Sequence, residues 1–94
     1  MRRRARTDAN QEAIANTLER FGCQVERKLA RLGDGIPDLL VAYNGNICLL
    51  EVKMPNEKLT EKEQAWHSKF NCVYVVHSVE EALSAVEANE VKDV

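Results

Sequence analysis

Residues 35–53 read GIPDLLVAYNGNICLLEVK, and this stretch predicts a β-hairpin. Two strand-like runs, residues 37–43 and 46–54, are rich in apolar side chains and lie on either side of Asn44 and Gly45. Asn-Gly is the dipeptide typical of a two-residue type I′ turn, because both loop positions need positive φ. The sequence therefore predicts two antiparallel strands joined by the tightest common connection.

A two-residue loop also sets the strand register, which places Asp38 opposite Glu51. Opposed Cβ atoms lie about 4.5 to 5.5 Å apart, so the two carboxylates would repel each other unless a proton or a cation is shared between them. Lys53 lies on the same face as Glu51 by strand alternation. Apolar neighbours surround these charges, which favours a buried functional site over the alternative, a solvated cluster of surface ions.

The chemistry that suits such a site is phosphodiester hydrolysis with a divalent metal. One Asp, one Glu and a backbone carbonyl supply the oxygen ligands that Mg²⁺ and Mn²⁺ prefer. A nearby ammonium can orient or deprotonate a metal-bound water, or stabilise the pentavalent phosphate.

Outside the hairpin, capping residues and apolar spacing predict the other elements. A first helix should begin at Thr7 or Asp8, and a second should begin at the capping box formed by Thr60 and Glu63. The remaining predictions are the end of the first helix at Phe21, a strand over 23–30, the end of the second helix near Phe70, a strand over 73–76, and a third helix from the box of Ser78 and Glu81 toward Ala88. The predicted order is αβββαβα, an α/β fold with a mixed central sheet flanked by helices.

Length and composition indicate one small globular domain. The chain has 94 residues, of which 45% are hydrophobic and 30% charged. We expect a basic arm over 1–6, the folded domain over 7–88 and a frayed tail over 89–94. No apolar run approaches a membrane span, and the start of the chain lacks the apolar segment of a signal peptide. The three cysteines lie outside any C-x-x-C motif, which is typical of free thiols in a reducing compartment, so we expect a cytoplasmic protein. We also expect no membrane contact and no small-molecule cofactor.

Charge is unevenly distributed along the chain. Residues 1–31 carry a balance of +4 and residues 32–94 a balance of −6, which gives the net charge of −2. Four arginines in the arm suit contact with phosphate groups, although a merely solubilising terminus is the alternative. The predicted phosphate-contacting residues are Arg2, Arg3, Arg4 and Arg6, with Lys58 and Lys62 near the second helix.

Two segments of the hairpin, Gly-Ile-Pro-Asp-Leu-Leu over 35–40 and Glu-Val-Lys over 51–53, resemble the PD-(D/E)xK nuclease superfamily. The Leu-Thr pair at 59–60 and Gln64 in the following helix make the VRR-Nuc branch the most similar one. The resemblance covers roughly residues 7–77. It implies a restriction-endonuclease-like, Holliday-junction-resolvase-like fold.

The resemblance also implies roles for individual residues. Asp38, Glu51 and the Val52 carbonyl would bind the metal, and Lys53 would serve catalysis. Gln64 would support the site from the second helix, or else is an exposed polar residue.

One departure from the family concerns the first helix, where members often carry an acid. This sequence has no clean match. Gln11 lies nearest the apolar stripe of the helix and is the residue we expect to face the site. The missing acid leaves the number of metal ions open.

Small free-standing VRR-Nuc proteins resemble phage and bacterial products and archaeal resolvases that act as dimers on branched DNA. The resemblance therefore implies a homodimeric endonuclease for Holliday junctions or flaps that does not read base sequence. The alternatives are an inactive DNA-binding or assembly subunit and an RNA-cleaving enzyme. The third helix, through Ala82, Leu83 and Val86, or the second helix, around Trp66 and Phe70, would form the dimer surface. The spacing of the aromatic residues favours packing over base stacking.

Overall fold

The computed structural model describes the backbone of residues 2–90 and the side chains of residues 8–89. Its elements follow the predicted order, with one additional 3₁₀ helix. They are α1 (Arg2–Phe21), β1 (Gln24–Glu26), the 3₁₀ helix (Leu29–Leu32), β2 (Leu39–Tyr43), β3 (Asn46–Val52), α2 (Glu61–Lys69), β4 (Val73–Val76) and α3 (Val79–Glu90).

The four strands form one mixed sheet in the order β1-β2-β3-β4. The first three strands pair antiparallel, and β4 pairs parallel to β3 after the crossover through α2. Tyr43 pairs with Asn46 and Leu39 with Leu50, so the register predicted from the turn is confirmed. This register decides which face of the sheet each hairpin side chain occupies.

The turn between β2 and β3 has the predicted backbone conformation. Asn44 has φ of 51° and Gly45 has φ of 83°, the left-handed values that a type I′ turn requires. The predicted strand limits are too wide, since β2 begins at Leu39 and not at Pro37. Proline has no N–H to donate, and Asp38 uses its side chain instead of its backbone to contact β3.

The hydrophobic core lies between one face of the sheet and the pair of helices α1 and α3. Leu39 and Leu50 pair across the hairpin and are almost fully buried on this face. The buried apolar residues of the core are Ile14, Ala15, Leu18, Cys23, Leu39, Val41, Cys48, Leu50, Val52, Val76, Ala82, Ala85 and Val86. Because Ala82 and Val86 pack inside this core, they cannot form the dimer surface that we expected on the third helix.

Two boundaries near the start of the chain differ from the prediction. The first helix begins at Arg2, not at Thr7 or Asp8, because arginine and alanine are good helix formers and no glycine or proline interrupts them. The predicted strand over 23–30 shortens to β1. The Glu26 carboxylate accepts a hydrogen bond from the Lys28 N–H at 2.6 Å, which turns the chain away from the sheet.

The second helix has a well-capped start, and none of its residues is fully buried. Thr60 and Glu63 form the predicted capping box. Phe70, at the end of this helix, is 42% exposed, and Phe21 is 40% exposed. The expectation that the aromatic residues pack in the core is therefore wrong for these two residues.

Across the described residues, no helix is long and apolar enough to cross a membrane. All three cysteines are free thiols, and Cys23 and Cys48 are buried.

Candidate active site

Two carboxyl side chains meet where β2 begins and β3 ends. Asp38 lies one residue before β2, and its Oδ2 accepts a hydrogen bond from the Val52 N–H at 2.8 Å. Glu51 is the penultimate residue of β3, and its carboxyl group lies close enough to that of Asp38 for the two to share a proton. The structure thus brings together the two acids that the hairpin register predicts.

Glu51 is the more deeply buried member of this pair. Its residue is 2% exposed, and its Oε1 atom is inaccessible and has no hydrogen-bond partner. Burial, followed by the charge of Asp38, raises the pKa of Glu51 to about 9. Burial also raises the pKa of Asp38, against the opposing effect of its hydrogen bonds to Val52 and Glu51. Near neutral pH the metal-free pair therefore retains a proton, as two adjacent carboxyls must when no cation is bound.

Lys53 lies directly after β3, with its ammonium between two carboxylates. Its Nζ is 2.8 Å from Glu63 Oε1 and 3.9 Å from Glu51 Oε2. Burial alone would lower the pKa of Lys53, but the hydrogen bond and charge of Glu63 raise it overall. The lysine is therefore a charged ammonium at neutral pH, which suits stabilisation of negative charge better than removal of a proton.

Glu63 is the residue of this cluster that the sequence analysis missed. Its Oε1 accepts hydrogen bonds from both the Lys53 ammonium and the Thr60 N–H, the latter at 2.9 Å. Burial would raise the pKa of Glu63, but the bond to Lys53 and the bonds to Thr60 lower it. The capping box was a sequence signal for Glu63, but it indicates a helix start and does not reveal which strand the carboxylate reaches.

Gly35 lets the loop before Asp38 approach the first turn of α2. It has φ of 81°, and a Cβ atom built there would lie 2.6 Å from the Lys62 carbonyl carbon and 2.8 Å from the Glu63 nitrogen. Those are backbone atoms, which cannot move aside without shifting the helix. A side chain at this position would therefore push α2, and Glu63 with it, away from Lys53.

The two predicted glutamines are not part of this cluster. Gln64 is exposed, and its Nε2 donates to the Leu59 carbonyl at 3.2 Å, so it supports the loop before α2. Gln11 is half-buried on α1. Within the described part of the chain, no hydrogen bond joins either glutamine to Asp38, Glu51 or Lys53. Their roles in a working site stay predictions.

His67 lies one turn after Glu63 on the same helix. Its Nε2 atom is buried without a hydrogen-bond partner. Burial lowers the pKa of His67, and so does the positive charge of Lys53, whereas Glu63 opposes the change. The imidazole is therefore neutral at physiological pH.

Of the residues predicted to contact phosphates, Lys58 and Lys62 are exposed. Lys62 pairs with Asp34 at 3.4 Å, and both side chains are largely open to solvent, so the pair adds little stability and leaves the lysine available. The side chains of Arg2, Arg3, Arg4 and Arg6 lie outside the described residues.

The oxygen atoms of the acid pair fit a hard divalent cation. The carboxylates of Asp38 and Glu51 and the carbonyl of Val52 are ligands of the type that Mg²⁺ and Mn²⁺ prefer. A cation would also satisfy the Glu51 oxygen that has no hydrogen-bond partner. Among residues 8–89 no three His, Cys, Asp or Glu side chains are grouped to hold a metal, so water or phosphate oxygens would have to complete the coordination.

Comparisons with known proteins found one family model and a solved structure that each match most of the chain. The family model of the VRR-NUC domain matches residues 2–80. A solved structure described as a VRR_NUC domain is similar, with a TM-score of 0.71 and 28% sequence identity over 86% of this chain and 94% of that chain. A comparison with curated proteins found no match. Because the family match spans most of its length, the chain belongs to the VRR-NUC domain family, whose fold is of the nuclease type.

Proposed function

We propose that the chain is a divalent-metal-dependent endodeoxyribonuclease that hydrolyses phosphodiester bonds in branched DNA, such as Holliday junctions or flaps. The observation that carries this proposal is the carboxyl pair of the buried Glu51 and the half-buried Asp38, with the Lys53 ammonium beside Glu51. Burying two adjacent acids destabilises a small domain, so a cation that binds them accounts best for their presence on a nuclease-type fold.

Each residue of the site then has a distinct task. Asp38, Glu51 and the Val52 carbonyl would hold Mg²⁺ or Mn²⁺, which when bound supplies Lewis-acid activation of water and phosphate. Lys53 stabilises the negative charge that accumulates on the phosphate in the transition state, because it is already protonated. Glu63 holds the Lys53 ammonium in place through its 2.8 Å contact.

Recognition of DNA rests on shape and phosphate charge. Phosphate contacts position a protein on DNA and carry no base-sequence information. The exposed Lys58 and Lys62 would supply phosphate contacts, and the arginines of residues 2–6 would add further ones. A homodimer would present two such sites at a fixed separation, which symmetric cuts in a four-way junction require.

One observation favours a second candidate, a DNA-binding or assembly subunit that hydrolyses nothing. Asp8 and Glu12, the acids near the middle of α1, are both exposed. Glu12 pairs with Arg27 at 3.9 Å, so neither acid extends the carboxyl pair. With an incomplete set of metal ligands, the protein would bind DNA without hydrolysing it.

A cleavage assay separates the two candidates. Purified protein is incubated with labelled four-way junctions, flaps and linear duplexes in Mg²⁺, Mn²⁺ or EDTA, with the Asp38→Asn variant as the control. We expect cleavage of branched DNA that needs metal and disappears in the variant. Tight DNA binding with no cleavage in either metal would support the inactive subunit, and equal cleavage by the variant would refute the site.

A further inference from the structure

Trp66 and Phe70 form a partly exposed aromatic pair at the end of α2, in which Trp66 is half-buried and Phe70 is 42% exposed. Their ring centroids lie 5.3 Å apart with the planes inclined by only 13°, so the rings are stacked. The pair lines a shallow pocket of about 270 Å³ together with Ala65 and Lys69. Neither ring belongs to the hydrophobic core formed by the described residues.

Positive charges lie on the same side of the helix as the rings. Lys62 is four residues before Trp66, and Lys69 is three residues after it, which are the spacings of neighbours on a helix surface. Both lysines are exposed. Aromatic side chains interleaved with cations are the combination that binds unpaired nucleic acid, since bases stack on the rings while phosphates contact the charges.

The position of α2 brings this pair close to the candidate active site. Glu63, in the first turn, touches Lys53 at 2.8 Å. Trp66 follows three residues later and Phe70 seven, which are about 4.5 and 10.5 Å along the helix axis. Successive phosphates of one strand advance about 3.4 Å along a duplex axis. The two axial distances are similar to one to three base steps along a strand, counted from a phosphate bound beside Lys53.

We propose that Trp66 and Phe70 form a stacking platform that receives an unpaired base beside the cleaved phosphate. This inference rests on the proposed function, which supplies DNA as the ligand. Bases inside a duplex are already stacked on their neighbours, so the platform favours DNA in which a branch point or flap leaves a base free. The lysines argue against a second copy as the occupant, because a two-fold contact across this face would bring Lys62 and Lys69 of both copies together.

The only tryptophan of the chain reports directly on this platform. The full chain in EDTA is titrated with a single-stranded oligothymidylate, a flap and a blunt duplex, and binding is followed by anisotropy of a label on the DNA. We expect the single strand and the flap to quench Trp66 fluorescence strongly, and the duplex to quench it much less at equal occupancy.

Variants test the same platform through affinity. Trp66→Leu and Phe70→Leu should each weaken binding of the single strand and the flap by about 5-fold to 100-fold, the range typical of one stacked base. The matched control is Ile47→Ala, which removes an exposed apolar side chain (56% exposed) at the turn end of β3. It should leave both affinities unchanged. Circular dichroism and melting temperature confirm that each variant folds.

Three results would overturn the platform. If flap DNA saturates the chain in the anisotropy assay and Trp66 fluorescence does not change, the platform is refuted and the proposed function is left intact. Loss of dimerisation in Trp66→Leu by light scattering, with unchanged affinity for the single strand, would assign this face to a second copy. A chain that binds no DNA in the anisotropy assay would overturn the proposed function as well.

Discussion

Glu51→Gln should make the metal-free protein more stable at neutral pH. The glutamine amide has nearly the size of the buried carboxyl and can donate to Asp38 as the protonated Glu51 does. Unlike the acid, it needs no proton to remain neutral inside the fold. The variant therefore keeps the packing of the site and removes only the cost of burying an ionisable group.

The magnitude follows from the pKa of Glu51, which is raised to about 9 from an ordinary value of 4.5. Between these two values the folded protein binds a proton that the unfolded chain has released, so the stability falls as the pH rises. The contribution of this proton to the free energy of unfolding is fully present below the pKa of Glu51 in the unfolded chain. It is lost as the pH rises toward and through the pKa of Glu51 in the folded protein. Each pH unit in this window costs about 1.4 kcal/mol, or roughly 4 kcal/mol between pH 5 and 8. Sharing of the proton with Asp38 reduces this loss of stability. We therefore expect the free energy of unfolding of Glu51→Gln to exceed that of the wild type by about 1–3 kcal/mol at pH 7.

Urea unfolding at pH 5, 6, 7 and 8 in EDTA gives the free energy of unfolding at each pH. The effect is the difference between wild type and variant in the slope of this free energy against pH. The wild-type free energy of unfolding should decrease with pH relative to that of Glu51→Gln, and an exposed control, Glu80→Gln, should follow the wild type. Saturating Mn²⁺ should remove the decrease in the wild type, because the cation replaces the proton. Parallel pH profiles for wild type and Glu51→Gln would refute the reasoning that the buried acid retains a proton.

Three further predictions concern the surroundings of the site. Lys53→Ala should stop turnover and leave Mn²⁺ binding by calorimetry largely intact, whereas loss of binding would make the lysine structural. Gly35→Ala should lower the melting temperature more than Gly33→Ala, by an amount equivalent to about 1–3 kcal/mol. Both glycines have positive φ, but an added Cβ meets α2 only at Gly35, so equal losses would show that α2 does not pack there. Deleting residues 2–6 should reduce the log–log salt slope of DNA binding by about 3.6, at 0.9 per phosphate contact, and an unchanged slope would leave the arginines a solubilising role.

The hairpin and β4 could be predicted from sequence because their signals are local. Asn44 and Gly45 specify the turn, the turn specifies the register, and the β-branched run at β4 gives that strand its observed limits. The first helix and β1 were harder to delimit. Their ends depend on a hydrogen bond from the Lys28 N–H to the Glu26 carboxylate and on helix propensity, and neither leaves a distinct pattern in the sequence.

The candidate site was predictable only as far as the hairpin reaches. Asp38, Glu51 and Lys53 lie on two strands whose pairing the turn specifies. Glu63 and Trp66 lie on α2, and no pattern within that helix shows how it is placed against the sheet. The spacing of Trp66 and Phe70 predicts core packing, whereas the structure leaves Phe70 exposed and Trp66 only half-buried.

The position of α2 depends on few contacts, and one of them is at the candidate active site. No residue of the helix is fully buried, and its first turn is held by the close approach of Gly35 and by the ion pair of Glu63 with Lys53. A substrate phosphate that draws the Lys53 ammonium toward itself must compete with Glu63 for it. If the proposed function holds, DNA binding at the acid pair and the position of α2 would therefore be coupled through one lysine. The proposed platform of Trp66 and Phe70 lies on the helix whose position that lysine helps to set.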